Sequence, residues 1–296
     1  MIKRTDLAME AHELWRESAQ RTTRLSGVRA AETRVLGCPV TRVDILDARG
    51  AEALGKPMGS YRTVELPALR QREDAFERAV MAVGQQLKEL LPERGAVLVA
   101  GLGNRAMTPD AVGPLTADSV LVTRHLVNGR ARPFAALRSV AALRTGVLGS
   151  TGVESAEAVR GLVEQVRPEA VIAVDALAAR RLARVCRTVQ LSDSGIIPGS
   201  GVGNHRAALD RETLGVPVIA VGVPTVVDAA TLAADLLEEA GLGSADPARL
   251  QSAADGLMVT PRDIDAQVRA LAKVVGYGIN WALQDLELEE ITALLS

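Results

Sequence analysis

Residues 97–114 read VLVAGLGNRAMTPDAVGP, and this stretch predicts the centre of the fold. Its apolar, β-branched beginning indicates a buried parallel strand, and the Gly-Leu-Gly-Asn at residues 101–104 indicates a tight turn. Thr108, Pro109 and Asp110 then have the features of a helix start. Asp110 is therefore expected just beyond the carboxyl end of a strand, where open α/β sheets build their sites. The alternative is that Asp110 only complements the helix dipole, an effect worth about 0.3–1 kcal/mol.

The rest of the chain alternates between predicted strands and helices. Strands are predicted at residues 35–46, 61–66, 97–100, 170–174, 188–191 and 216–221. Helices are predicted at residues 7–24, 73–91, 108–125, 155–166, 178–187, 226–240, 261–284 and 286–295. Residues 128–152 are predicted to be irregular, with at most a short strand or helix. This order predicts an α/β fold in three layers, with a mostly parallel sheet and helices on both faces.

Composition limits the classes of protein to which the chain can belong. The chain has 296 residues, of which 48% are hydrophobic, and we find no internal repeat or linker. A net charge of −2 and a pI near 6.0 give no basic surface for nucleic acid or anionic lipid. No apolar run is long enough to span a bilayer, and the first residues lack the apolar core of a signal peptide. We therefore expect a cytoplasmic protein without direct nucleic-acid or membrane contacts.

The sequence offers no metal-binding or cofactor-binding pattern. Cys38 and Cys186 cannot form a metal cluster by themselves, and both are expected to be buried free thiols. No group of His, Cys and Asp has zinc-ligand spacing. The Gly101-Leu102-Gly103 turn lacks the third glycine of the dinucleotide fingerprint. No cofactor and no bound metal are therefore expected.

Two aspartates occupy the same kind of position and are the candidate catalytic residues. Asp110 follows the strand at 97–100, and Asp175 is predicted to end the strand at 170–174. Since parallel strands end at the same sheet edge, both carboxyl groups can face one cleft. Burial and mutual repulsion would raise the pKa of one of them, so that one carboxylate activates water while the protonated partner polarises a carbonyl. Asp175 is alternatively a helix cap for residues 176–187.

A glycine-rich run at residues 192–206 is the second candidate region. Its backbone N–H groups could form an anion nest or an oxyanion hole, or the glycines could simply serve a mobile loop. Asp193 alternatively forms a turn before Gly195, and His205 is a proton donor, a metal ligand or a surface residue. The candidate supporting residues are Asn104, Asp193, Gly199, Gly201, Gly203 and His205.

Several motifs, taken together and in order, resemble the germination proteases of spore-forming bacteria. The motifs are residues 101–104 with 108–114, residues 152–155, residues 174–178, and residues 190–196 with 198–204. The resemblance extends from the N-terminus to about residue 265. It implies a fold similar to that of hydrogenase-maturation proteases and an atypical aspartic endopeptidase whose catalytic aspartates are Asp110 and Asp175. It also implies small acid-soluble spore proteins as substrates, a homotetramer, and a location in the forespore or spore core.

The N-terminal residues carry a second match to that family. Its cleavage sequence resembles Thr-Glu↓Phe-Ala-x-Glu, and residues 5–10 of this chain read TDLAME. The resemblance implies a zymogen that cuts itself between Asp6 and Leu7. Residues 1–6 would then be a propeptide, and residues 7–296 a single α/β peptidase domain with a C-terminal helical segment. The same residues also fit a capping box at the start of a helix.

Two other functions compete with this interpretation. One is a metal-dependent peptidase of the hydrogenase-maturation type, which would recognise nickel on its substrate through carboxylates and His205. The other is a non-catalytic module that binds nucleotides or phosphate through its glycine-rich turns. The ordered motifs and the match at residues 5–10 favour the germination protease.

Overall fold

A computed structural model describes residues 5–19, 25–69, 74–129, 136–199, 206–242, 246–254 and 256–295. The strands are β1 (Val28–Val35), β2 (Cys38–Ile45), β3 (Gly59–Glu65), β4 (Val97–Leu102), β5 (Val140–Gly146), β6 (Ala170–Ala179), β7 (Thr188–Ser192), β8 (Val218–Asp228) and β9 (Met258–Val259). They form one sheet in the order β1-β2-β3-β7-β8-β6-β4-β5, and β9 pairs with β8.

The helices alternate with these strands along the chain. They are α1 (Ala8–Ala19), α2 (Ala48–Leu54), α3 (Ala75–Lys88), α4 (Val112–Asp118), α5 (Arg124–Asn128), α6 (Leu148–Thr151), α7 (Ser155–Val166), α8 (Arg211–Leu214), α9 (Ala229–Glu239), α10 (Pro247–Ala253), α11 (Ile264–Leu283) and α12 (Leu288–Leu295). Two short 3₁₀ turns span Thr108–Asp110 and Leu182–Arg184.

The predicted α/β class is confirmed, and the strand pairing shows where the sheet is parallel. β5, β4, β6 and β8 pair in parallel, and β4, β6 and β8 are buried on both faces, as expected for the centre of a parallel sheet. β7 pairs antiparallel with both β8 and β3, and the β1–β2–β3 meander and β9 are also antiparallel. The sheet is therefore mixed, and the predicted aspartates Asp110 and Asp175 belong to its parallel part.

Alternate residues of the central strands face two separate apolar layers. Val97 and Val99 of β4 belong to one layer, which includes side chains of α3 and α11. Leu98 and Ala100 belong to the other layer, with Val159 of α7 and Leu214 of α8. Because strand side chains alternate between faces, one continuous apolar run supplies both layers, and helices cover both sides of the sheet as predicted.

The first strands form a hairpin that the sequence pattern did not predict. Residues 35–46 were expected to form one strand, whereas β1 and β2 pair through a turn at Leu36 and Gly37. Both turn residues have positive φ, 49° and 78°. Positive φ at both central positions is typical of the two-residue turns that match the twist of a hairpin. A leucine in the first of these positions is an unusual turn signal, which is why sequence alone placed only one strand here.

Two predicted helices were wrong in extent or type. The helix predicted at 108–125 is divided into a 3₁₀ turn, α4 and α5, and the Asn280 side chain bonds to Leu121 N and Ser119 O in the break. The helix predicted at 178–187 is replaced by the continuation of β6 to Ala179 and the turn Leu182–Arg184. Alanine-rich residues 176–179 favour a helix locally, but pairing with β8 holds them extended.

β4 ends before β6 does, so the last residues of β6 have a neighbouring strand on one side only. β4 pairs with β6 only as far as Gly101 and Val174, whereas β8 continues alongside β6 to Ala179. From residue 175 onward, the β6 edge on the β4 side is therefore released from strand pairing. Residues 128–152, predicted to be irregular with at most a short element, contain β5 on the far side of β4.

Candidate active site

Asp110 is held by the turn that follows β4. Gly103 has a φ of 106°, and a Cβ built there would lie 2.2 Å from the Asp110 carbonyl oxygen and 2.9 Å from Asp110 Oδ1. Only glycine fits so close an approach at this backbone angle. The Asn104 backbone N–H donates to Asp110 Oδ2 at 2.7 Å, while the Asn104 side chain accepts from Ala106 N. Asn104 thus meets Asp110 through its backbone, and its side chain shapes the turn.

Asp175 lies within β6 and does not end the strand. It pairs with Gly222 of β8, only 4% of its surface is exposed, and Oδ1 accepts from Ala176 N at 2.9 Å. The predicted strand end at Asp175 is therefore wrong, and so is the alternative of a helix cap, because extended chain follows it. A carboxyl group buried in the middle of a strand needs a specific reason, since burial disfavours its charge.

The structure brings Asp110 and Asp175 to one cavity of about 440 Å³. Its walls also include Gly103, Asn104, Gly199, Arg206 and Asp6. Asp193, in contrast, lies away from this cavity, where its Oδ1 accepts from Ser60 N at 2.7 Å and joins β7 to β3. The candidate residues Gly201, Gly203 and His205 lie outside the described residues.

The two carboxyl groups differ in how strongly they hold a proton. Burial and, after it, the charge of Asp110 raise the pKa of Asp175 to about 8, against the opposing hydrogen bonds from the backbone N–H groups of Ala176 and Gly199. Burial also raises the pKa of Asp110, against the hydrogen bond from Asn104 and the charge of Arg206. Asp175, the more buried of the two, holds a proton more strongly than an exposed aspartate does, and such a pair can supply one acid and one base.

The N-terminal segment reaches the same cavity. Asp6 N donates to the Ala178 carbonyl at 2.9 Å, and Ala178 N donates to Asp6 Oδ2 at 2.8 Å. Asp6 therefore uses the edge of β6 that β4 leaves open. Its negative charge also contributes to the raised pKa of Asp175. The peptide bond between Asp6 and Leu7 thus adjoins the cavity of the two aspartates.

Gln190 of β7 holds the backbone on both sides of Leu7. Its Nε2 donates to the Asp6 carbonyl oxygen at 3.1 Å, and its Oε1 accepts from Ala8 N at 2.7 Å. Sequence analysis missed this residue. The available signal was a glutamine between Val189 and Leu191 in a predicted strand, because a buried amide requires hydrogen-bond partners. In this structure the partners are backbone groups of the N-terminal segment.

Two broader searches cover the part of the chain that the structure describes. Among those residues, no group of three or more His, Cys, Asp or Glu side chains has an arrangement that could hold a metal ion. None of the helices described there combines the length and the apolar character needed to cross a membrane.

Comparisons with known proteins show the family of the chain. The model of the family described as "Peptidase_A25: Germination protease" matches residues 8–239. A germination protease of Caldanaerobacter subterraneus subsp. tengcongensis is 43% identical over 99% of this chain and 98% of its own length. One from Clostridium perfringens is 41% identical over 99% of both chains. The NiFe-hydrogenase maturation protease HycI of Thermococcus kodakarensis covers 66% of this chain and 98% of its own, with 18% identity and a TM-score of 0.37.

Proposed function

The chain belongs to the germination protease family, and we propose that it is an atypical aspartic endopeptidase that starts the degradation of small acid-soluble spore proteins during germination. One observation carries the mechanism: two aspartates, Asp110 and Asp175, line one cavity, and Asp6 lines it with them. Acid proteases use such carboxyl pairs, in which like charges share one proton.

The two aspartates have distinct roles in the proposed reaction. Ionised Asp110 takes a proton from a water molecule, whose oxygen attacks the peptide carbonyl carbon. Protonated Asp175 donates a hydrogen bond to the carbonyl oxygen as negative charge develops there. The carbon–nitrogen bond then breaks, and the departing amine receives the proton that Asp110 accepted. General acid–base catalysis of this kind contributes roughly 10²–10⁴-fold to the rate.

We further propose that the protein is made as a zymogen that cleaves itself between Asp6 and Leu7. Two sets of contacts support this proposal. Asp6 is hydrogen-bonded to Ala178 of β6, and the Gln190 side chain is hydrogen-bonded to the backbone on both sides of Leu7. Residues 1–6 would be released, and residues 7–296 would form the mature peptidase domain. The mature enzyme is proposed to act as a homotetramer in the spore core, without a metal, another cofactor or direct contact with nucleic acid.

Cleavage of a purified small acid-soluble spore protein tests the proposed activity. We expect mass spectrometry to find one early cut, after the acidic residue of a Thr-Glu-Phe-Ala sequence. The Asp110→Asn protein should leave the substrate intact. A substrate that survives the wild-type protein, or one that both proteins cut equally, would contradict the proposal.

Intact mass tests self-processing separately. We expect incubation at mildly acidic pH to remove residues 1–6 from the wild type and not from the Asp110→Asn and Asp175→Asn variants. Loss of the same residues from all three proteins would assign the cut to a contaminating protease. Size-exclusion chromatography with light scattering of the processed sample tests the proposed tetramer, and a monomer would contradict it.

A further inference from the structure

The nitrogen atom of the bond between Asp6 and Leu7 is linked to a buried carboxylate through one hydroxyl group. Leu7 N donates to Thr5 Oγ1 at 3.0 Å, and the same oxygen donates to Glu10 Oε2 at 2.5 Å. Glu10 lies in the first turn of α1 and is fully buried. Thr5 belongs to the segment that the proposed self-cleavage releases, whereas Glu10 stays with the enzyme. Cleavage would therefore remove the group that separates the Leu7 nitrogen from the carboxylate.

The turn that follows β6 supplies the other partners of the Glu10 carboxylate. Oε2 also accepts from Arg180 N at 2.7 Å, and Oε1 accepts from Arg181 N at 3.0 Å. Arg184 Nε lies 3.6 Å from Oε1. A buried carboxylate is stable only when hydrogen bonds and opposite charge replace its water. Departure of Thr5 would leave Oε2 short of one donor, while the contacts from the turn remain.

Leu7 is anchored beside Glu10 by contacts that cleavage leaves in place. Its side chain is fully buried in the apolar core. The nitrogen of the next residue, Ala8, donates to Gln190 Oε1 at 2.7 Å. The amino group that cleavage creates at Leu7 therefore forms at a buried position, where a charge needs a counter-ion.

We infer that Glu10 is the counter-ion of the amino group created at Leu7, an inference that rests on the proposed self-cleavage. In that reaction the water oxygen bonds to the Asp6 carbonyl carbon and the carbon–nitrogen bond breaks. Both protons of the water end on the Leu7 nitrogen, which leaves a carboxylate on Asp6 and an ammonium on Leu7. The ammonium then donates to Glu10 Oε2 in place of the Thr5 hydroxyl. This exchange opposes the return of the released segment, because the ion pair takes the position that Thr5 occupied.

Other charged groups also act at this position. Lys56 Nζ donates to the Thr5 carbonyl at 3.1 Å. Burial lowers the pKa of Lys56, and the charges of Asp6 and Glu10 oppose that shift. Cleavage removes the charge of Asp6 and adds that of the ammonium. The Glu10 carboxylate then faces three cations, namely the ammonium, Lys56 and Arg184, and its removal should destabilise the charged form of the amino group.

Titration of the Leu7 amino group tests this inference. The chain beginning at Leu7 is obtained by self-cleavage and, independently, from a fusion whose tag protease leaves no residue behind. This chain keeps every strand and helix that the structure describes, and circular dichroism checks its fold. The rate of acetylation by acetic anhydride, read from the mass of the N-terminal peptide at each pH, gives the pKa of the amino group. The same measurement in urea gives the reference value.

We expect the wild-type amino group to titrate at least about one pH unit above its value in urea, which is about 8, and to react roughly tenfold more slowly at neutral pH. Glu10→Gln should lower the pKa to the urea value or below, because burial then opposes the charge without a counter-ion. Glu13→Gln is the matched control, since Glu13 lies on the same helix and its Oε1 accepts from Arg184 Nη2 at 2.6 Å. This control should keep the raised pKa.

A chain with one glycine added before Leu7 moves the amino group while Glu10 stays intact. We expect no upward shift of the pKa in this chain. It also decides the matter if Glu10→Gln fails to fold, because a raised pKa that survives the added glycine would overturn the inference.

The remaining outcomes separate this inference from the proposed function. Self-cleavage followed by an unshifted pKa, or by a raised pKa that persists in Glu10→Gln, would overturn the counter-ion and leave the endopeptidase intact. A raised pKa in the tag-released chain that Glu10→Gln abolishes, without self-cleavage of the full chain, would support the counter-ion and contradict self-cleavage.

Discussion

The two halves of β6 have similar, largely apolar sequences but different neighbours. Residues 170–174 are buried between β4 and β8, and every one of them is a packing residue. Residues 175–179 keep β8 but lose β4, and there the strand carries Asp175 and pairs with Asp6. The comparison shows that the end of β4 marks the point where β6 changes from a strand packed on both edges to one with an open edge, which in the proposed mechanism carries a catalytic aspartate.

The largest loss of activity should follow from replacing Asp175, in the second half of β6, or its partner Asp110. Asp175→Asn and Asp110→Asn each remove a group that exchanges a proton, so kcat/KM for a peptide with the Thr-Glu-Phe-Ala sequence should fall at least about 10³-fold. Circular dichroism should show unchanged secondary structure. Retention of more than a tenth of the activity by either variant would remove that aspartate from the mechanism.

The first half of the strand should respond in stability alone. Ile172 is fully buried, and Ile172→Ala leaves a cavity that should lower the free energy of unfolding by about 2–5 kcal/mol. Urea denaturation measures this loss, and kcat of the folded fraction should stay within twofold of the wild type. A large loss of kcat at full folding would erase the distinction between the two halves.

The turn at Gly103, next to the second half of β6, should not tolerate an added side chain. Gly103→Ala places a methyl group against Asp110, and a shift of that carboxylate by about 1 Å should cost roughly 10²-fold in kcat/KM. Gly149→Ala is the control, because a Cβ there meets no atom within 4 Å. Equal activities of the two variants would show that the position of Asp110 is not critical.

The last effect is a change in stability with pH, measured without any assay of activity. The pKa of Asp175 is about 8 in the folded state and near 3.8 when exposed, so the folded state holds a proton that the unfolded chain releases in between. Stability contributed by this proton is complete below pH 4 and is lost as pH rises towards 8. The melting temperature of Asp175→Asn should therefore rise relative to wild type across this window, by roughly ten degrees. A difference independent of pH would contradict the buried, protonated carboxyl group.

Much of the fold was predictable because its signals are local. One stretch of sequence encodes the strand at residues 97–102, the turn at Gly103 and the helical start at Thr108. The bounds of α7 and β7 were also predicted to within one residue. The aspartate pair was also named from strand ends. The helix predicted at residues 178–187 was wrong, because the extended form of residues 176–179 depends on pairing with β8, more than 40 residues away in the chain.

The parts of the site that sequence reasoning missed depend on distant contacts. Gln190 is a buried polar residue in β7, and its hydrogen-bond partners are residues 6 and 8, more than 180 positions away in the chain. Asp193 looked like a site residue because it follows a strand, but β7 runs antiparallel to β8, so its end does not lie with the ends of the parallel strands. Strand direction is set by the whole sheet, and no local pattern carries it.

The most direct test is a ¹³C NMR titration of protein labelled at the aspartate carboxyl carbons. The account predicts one signal that titrates near pH 8 and is missing from Asp175→Asn. In Asp110→Asn that signal should titrate at a lower pH, because the neighbouring charge is gone, and still above 3.8, because burial remains. If every aspartate of the wild type titrated near pH 4, the two carboxyl groups would not share a proton, and the proposed division into acid and base would be wrong.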